Sequence, residues 1–182
     1  IAHIHGGEVT LGAIDNKFRN AITQMADVHF VATANAYSRV RELCPNNQDI
    51  YHVGSLSVDK INKIKLLSRI ELSKKFGWRI KGKTAIVTFH PETMSAMSPV
   101  QQVSQLIAAL STFAELFIVV TLSNADVGGQ SVSRLLIEFA QQRSNVVVQS
   151  SLGYASYVSC LANFDLVIGN SSSGIIEAPT FG

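Results

Sequence analysis

The chain has 182 residues, 47% of them hydrophobic and 15% charged, with a formal net charge of +2. That apolar content supplies a large buried core and excludes a disordered chain. A small net charge without a Lys/Arg block leaves no electrostatic footprint for nucleic acid or an anionic membrane surface. The longest apolar run, Leu106 to Leu122, is interrupted by Ser111, Thr112 and Glu115. It is too short and too polar to span a bilayer, and a helix feeding a buried strand accounts for it.

Two cysteines, Cys44 and Cys160, lie far apart within apolar patterns and match no metal spacing. Reduced thiols in a cytoplasmic protein are therefore expected. No signal-peptide pattern opens the sequence. The first residues lie inside a strand-like pattern without an initiator Met, and the last, Thr180 to Gly182, fall in mid-motif, so a fragment of a longer protein is expected.

In chain order, Ile1 to Gly7 reads as a strand ending in a glycine turn. Ile14, Phe18, Ile22 and Met25 form one helical stripe, with Asp15 near its start. Val28 to Ala32 is a second strand, Ala34 to Leu43 a second helix closed by Pro45, and Ile50 to Val53 a third strand. This βαβαβ alternation implies a parallel sheet with helices on its faces. Residues 57–83 lose β character and gain Lys and Arg, with a helix predicted from Leu67 to Phe76 that stops at Gly77. We read residues 1–56 as the remnant of a first domain, 57–83 as a connection and 84–182 as a second, truncated domain.

In the second domain strands are predicted at Thr84 to Phe89, Leu116 to Thr121, Asn145 to Val148 and Asp165 to Ile168. Helices are predicted at Pro99 to Ala114, Ser131 to Gln142 and Ala155 to Leu161. Ser98, Pro99 and Gln101 form a capping-box start. In open α/β sheets ligands bind outside the carboxyl ends of the strands. The loops at His90, at Ser123 to Asp126, at Ser151 to Gly153 and at Asn170 to Gly174 therefore share one polar rim.

The most informative stretch is Phe164 to Gly182. A short apolar strand, then Gly169, Asn170, three serines and Gly174, reads as strand, tight turn and helix start. Free N–H groups and the hydroxyls of Ser171, Ser172 and Ser173 suit a phosphate or diphosphate. Glu177, one turn further on, is placed to accept from a ribose diol. Serines that merely cap a helix beside a solvated Glu177 are the plainer alternative.

A second polar group comprises His3, His5, Glu8, Asp15 and Arg19. Asp15 and Arg19, four apart, share a helix face and can form a structural salt bridge. The His-x-His spacing is a weak zinc signal, because no third ligand has sensible spacing.

HIHGGEVTLGAIDNKFRNAIT, the Ser57 to Lys60 segment, FHPET and GNSSSGIIEAPTFG together resemble the hydrolysing UDP-N-acetylglucosamine 2-epimerases of bacterial sialic-acid synthesis. The resemblance extends to relatives that act on UDP-N,N'-diacetylbacillosamine, and it runs from the first residue to the last. It implies a GT-B-like pair of Rossmann-like α/β domains, with the nucleotide on the second and the chemistry in the cleft.

Carried over, the resemblance puts UDP contacts at His90, Asn124, the Leu152 backbone, Ser171, Ser172 and Glu177. It puts catalytic positions at Asp15, Arg19, Asp59, His90 and Arg134. His5 stands where many relatives carry Glu, so that role passes to His5 or to Glu8. The implied reaction is elimination of UDP to a glycal followed by hydration, with no cofactor and no required metal. The implied partner is a UDP-sugar, and the implied assembly is a homo-oligomer. A GT-B glycosyltransferase is the alternative; it should lack the GGE and Asp15 group. The 182 residues alone are expected to be inactive.

Overall fold

The computed structural model describes residues 1–10, 14–92, 95–122 and 129–182, and the chain divides into two compact units, Ile1–Asn62 and Lys63–Gly182.

The first unit runs β1 (Ala2–Ile4), α1 (Asp15–Met25), β2 (Val28–Val31), α2 (Ala34–Leu43), β3 (Ile50–His52) and α3 (Leu56–Ile61). Its strands form a parallel sheet in the order β1-β2-β3. Val31, Ala36, Val40 and Ile50 make its small core. Thr33 caps α2 by accepting from the Ala36 N–H at 3.1 Å, which satisfies one of the free donors of the first turn.

Two features differ from expectation. The apolar stripe that marks α1 in the sequence is not its buried face. Ile14, Phe18, Ile22 and Met25 are all exposed, and Thr23 is the buried residue of this helix. Periodicity reports that a helix has an apolar side, but it does not say which side its own sheet takes. The helix α3 was not predicted, because six residues are too few to display a period.

The second unit runs α4 (Arg69–Phe76), β4 (Thr84–Thr88), α5 (Pro99–Ser111), β5 (Phe117–Thr121), α6 (Gly129–Gln141), β6 (Val146–Gln149), α7 (Tyr154–Asn163), β7 (Leu166–Gly169) and α8 (Ser173–Ile176), closed by a 3-10 turn at Ala178–Phe181. All four strands are parallel, in the order β6-β5-β4-β7. Both faces of the central strands β4 and β5 are covered, as parallel sheets require. Ala85, Val87, Ile118 and Val120 point into one core with Val103, Leu110 and Leu136. Ile86, Phe117 and Val119 point into the other with Leu72, Trp78, Cys160 and Leu161. Leu72 and Trp78, from the stretch expected to be a connection, are thus core residues of this unit.

Local signals set the helix ends. Ser98 and Gln101 form the reciprocal capping box predicted for α5, and Ser68 with Glu71 forms another at α4, which ends on Gly77 at φ +70°. Cys44 and Cys160 are both free thiols, and burial pushes the Cys160 thiol up to about 12.

Candidate functional site

Strand order fixes where the loops of the second unit meet. From β4 the chain steps to β5 and β6 on one side, then crosses back so that β7 lies against the other edge of β4. The carboxyl ends of β4 and β7 therefore flank a topological switch point, the place where open α/β sheets bind ligands. Gly169 makes this approach possible. It pairs with Thr88, has φ +136°, and a Cβ there would lie 1.8 Å from the Thr88 carbonyl oxygen. Only glycine fits.

Across this switch point the two loops are clasped. The His90 backbone N–H donates to the Asn170 side-chain oxygen at 2.8 Å, and the Asn170 amide donates back to the His90 carbonyl at 2.6 Å. His90 is half-buried, and Ser171 and Ser172 follow directly. The serine turn is braced from inside: Ser173 is buried, its hydroxyl hydrogen-bonds Ser171 Oγ at 3.1 Å, and it also meets the Tyr157 phenol. Glu177 is buried, and the Tyr154 phenol hydrogen-bonds its carboxylate. Burial, and then the Glu177 charge, raise the Tyr154 phenol above its ordinary value.

The helix expected after the serines is shorter than its pattern suggests. α8 has four residues, and Ser172 makes no side-chain capping bond. A single turn has little dipole. Turn N–H groups and hydroxyls, rather than a helix field, are what this segment offers an anion.

Leu152 is buried with its side chain in the second core, so only its backbone is available on the rim. Arg134 is exposed on α6 and paired with Glu138 at 2.8 Å. Asn124 and the rest of its Ser123 to Asp126 loop lie outside the described residues.

In the first unit the carboxyl ends of β1, β2 and β3 carry the polar group. His5 follows β1 with φ +62°, the left-handed region that non-glycine residues avoid. Gly7, at φ +79°, lies against α2, where a Cβ would meet the Ala36 carbonyl at 2.3 Å, and Arg39 donates to the Gly7 carbonyl at 3.1 Å. Glu8 follows with its Oε1 3.4 Å from the Thr33 hydroxyl. Asp59 is exposed on α3, after β3.

The salt bridge anticipated between Asp15 and Arg19 is absent among the described residues. Arg19 donates to the Glu8 carbonyl at 2.8 Å and to Asn16 Oδ1 at 2.9 Å, so it braces the glycine turn instead. Asp15 is exposed in the first turn of α1.

His3 and His29 are paired in register and buried, with rings 6.2 Å apart. Burial, with a smaller repulsion from His29 and Arg19, lowers the His3 imidazole; burial also lowers His29. Both are neutral near pH 7. His3 bonds Thr23 Oγ1 at 3.1 Å, so it is tied into packing. Among the described residues, no three His, Cys, Asp or Glu side chains gather as a metal site.

Asn170 was expected on the rim only as part of the 170–174 loop, with no role of its own, and Tyr154 and Tyr157 were not expected at the site. The tyrosines carry no sequence signal, because their partners are distant in the chain.

Two α/β units with parallel sheets and a polar rim at a switch point define the class as a GT-B-like pair of Rossmann-like folds. The solved complex titled S. aureus MnaA-UDP co-structure has this fold, with a TM-score of 0.75 at 16% identity, over 100% of this chain and 49% of that one. The model of the UDP-N-acetylglucosamine 2-epimerase family matches residues 1–182, and the chain belongs to that family. It is 30% identical over its whole length to the GDP/UDP-N,N'-diacetylbacillosamine 2-epimerase (hydrolyzing) of Campylobacter jejuni. It is 32% identical to the UDP-N,N'-diacetylbacillosamine 2-epimerase (hydrolyzing) of Legionella pneumophila. The chain spans about half the length of these relatives, 47% of each.

Proposed function

We propose that the whole protein is a hydrolysing UDP-sugar 2-epimerase acting on UDP-N-acetylglucosamine. A base removes the C2 proton, the C1–O bond breaks and UDP departs, leaving a glycal. Water then adds its oxygen to C1 and a proton returns to C2 on the opposite face, which gives free N-acetylmannosamine. The observation that carries the nucleotide part of this reading is the clasp of His90 to Asn170 at the switch point beside Ser171.

In this reading the second unit holds UDP. Ser171 and Ser172 donate to the diphosphate, Glu177 accepts from the ribose diol, the Leu152 backbone and Asn124 contact the nucleotide, and His90 and Arg134 stabilise the leaving group. The first unit supplies the acid/base groups. Asp15 and either His5 or Glu8 exchange protons with the sugar, while Arg19 and Asp59 complete the polar set. A positioned base contributes ~10²–10⁴-fold. No metal or organic cofactor is required by this chemistry. We place the protein in the cytoplasm, as a homo-oligomer.

A second substrate is favoured by a specific observation: the Campylobacter and Legionella relatives, at 30% and 32% identity, are named for UDP-N,N'-diacetylbacillosamine. Offering each UDP-sugar separately to the whole protein, with NMR of the released sugar, tests both. Release of a 2-epimer with UDP from one of them supports the reading. Transfer of the sugar to an added acceptor, with retention at C2, would make the protein a glycosyltransferase.

A further inference from the structure

We propose that Arg39 of α2 is a positioning residue for the reaction: its guanidinium holds the Gly7 carbonyl and so fixes the turn from His5 to Glu8 in the shape that aims the acid/base group at the sugar. This rests on the proposed role of His5 or Glu8 in proton exchange with the sugar.

The turn has a conformation that must be held. His5 has φ +62°, and among the described residues it is the one non-glycine residue with a positive φ. Such a conformation persists only where its surroundings fix it. Here they do so residue by residue. The His5 N–H donates to the Phe30 carbonyl of β2 at 2.9 Å. Gly6 lies against the His3 ring, where a Cβ would come within 2.8 Å of Nδ1. Gly7 is seated on Ala36 and its carbonyl accepts from Arg39 Nη1 at 3.1 Å, while the Glu8 carbonyl accepts from Arg19 Nη1 at 2.8 Å. Two guanidinium groups from two helices thus hold two successive carbonyls.

Helix geometry, rather than packing, puts Arg39 in reach. Ala36 and Arg39 are three apart on α2 and share a face, and Gly7 is the residue seated on that face. Arg39 is exposed, and the small core of this unit is made by Val31, Ala36, Val40 and Ile50 without it. When the bond from Arg39 is lost, His5 stays tied through its N–H and Glu8 through its carbonyl, but the Gly7 carbonyl between them is no longer fixed. The strained His5 backbone can then relax, and the side chains of His5 and Glu8 move off the geometry that proton transfer needs. A displacement of about 1 Å at such a group costs up to ~10²-fold in rate.

In the whole protein, Arg39→Gln is expected to lower kcat about tenfold or more, with KM for the UDP-sugar and affinity for UDP within about twofold, because the nucleotide is held elsewhere. The bond to Gly7 is a single one, so a lysine ammonium can make it, and Arg39→Lys should keep turnover within about threefold of wild type. Hydrogen exchange at residues 5–8 should be faster in Arg39→Gln and close to wild type in Arg39→Lys, with exchange in α2 and β2 unchanged in both.

Wild-type turnover in Arg39→Gln would overturn the proposal. So would a fall in kcat without faster exchange in the turn, or one that Arg39→Lys shares in full, because the guanidinium would then act on the substrate rather than through Gly7. A loss of UDP affinity as large as the loss of kcat, or faster exchange throughout the first unit, overturns it as well, since nucleotide binding or packing would be the role. Failure of the underlying reading looks different: the whole protein releases no sugar from either UDP-sugar, or His5→Asn and Glu8→Gln both turn over as wild type does, and both proposals then fall together.

Discussion

Asp15 makes no hydrogen bond or ion pair with any described residue, and it sits exposed in the first turn of α1 while Arg19 serves the glycine turn. A carboxylate with no partner among the described residues can be replaced by its amide at little cost to their packing. In the whole protein we expect Asp15→Asn to lower turnover by about 10²-fold or more, with UDP affinity within about twofold, since proton exchange with the sugar is the proposed role. Steady-state rates beside calorimetry check this; a variant retaining more than about a tenth of the rate would remove Asp15 from the mechanism. Gly169 is the opposite kind of residue, fixed by space. A Cβ 1.8 Å from the Thr88 carbonyl, at φ +136°, cannot be accommodated without moving β7 away from β4. Gly169→Ala should therefore destabilise the fold by about 2 kcal/mol or more. It should also weaken UDP binding, because the same shift opens the His90–Asn170 clasp. A melting temperature within about 2 °C of wild type would contradict the close approach.

At the scale of elements, one carboxylate ties the start of α4 to the sheet, beside the core packing of Leu72. Asp165, at the start of β7, accepts from Arg69 at 2.8 Å, from Lys83 at 2.9 Å, and from the Thr84 backbone and hydroxyl at 2.9 and 2.8 Å. Arg69 also donates to the Asn163 carbonyl at 2.7 Å, so α4, β4 and the end of α7 converge on one point. The Lys83 ammonium, then Thr84 and Arg69, hold the Asp165 carboxyl far below the usual carboxylate range. A lowered folded value means the contribution is complete above the unfolded value of about 4 and is lost as pH falls below it. Melting temperatures measured from about pH 6 to pH 3 should fall less steeply for Asp165→Asn than for wild type, with the variant less stable at pH 6. Parallel curves would show that this cluster does not report on acid stability.

At the scale of the whole molecule, both sheets end in strands with exposed apolar side chains. Ile4 of β1 is 51% exposed, and Leu166 and Val167 of β7 are 47% and 39% exposed on opposite faces. Parallel sheets are stable when both faces are covered, and the relatives are about twice as long as this chain. We expect residues 1–182 produced alone to bind UDP more weakly than the whole protein and to release no sugar from either UDP-sugar. Calorimetry and NMR on one preparation test this, and measurable turnover by the 182 residues would relocate the base.

The alternation of strands and helices, the capping box at α5 and the glycine that closes β7 were legible in the sequence, because each depends on residues within a few positions of one another; the second capping box, at α4, came from the structure. The rim followed too, since parallel strands must send their loops to one end. Tertiary structure alone decided which loops meet. His90 and Asn170 are 80 residues apart and are joined because β7 crosses back to pair with β4 rather than extending beyond β6. The same crossing sets Ser173 against Tyr157. The partner of Arg19 and the buried side of α1 were likewise settled by long-range packing. An i,i+4 spacing makes the Asp15–Arg19 pair available, but the Glu8 carbonyl, brought close by the glycine turn, takes the guanidinium instead.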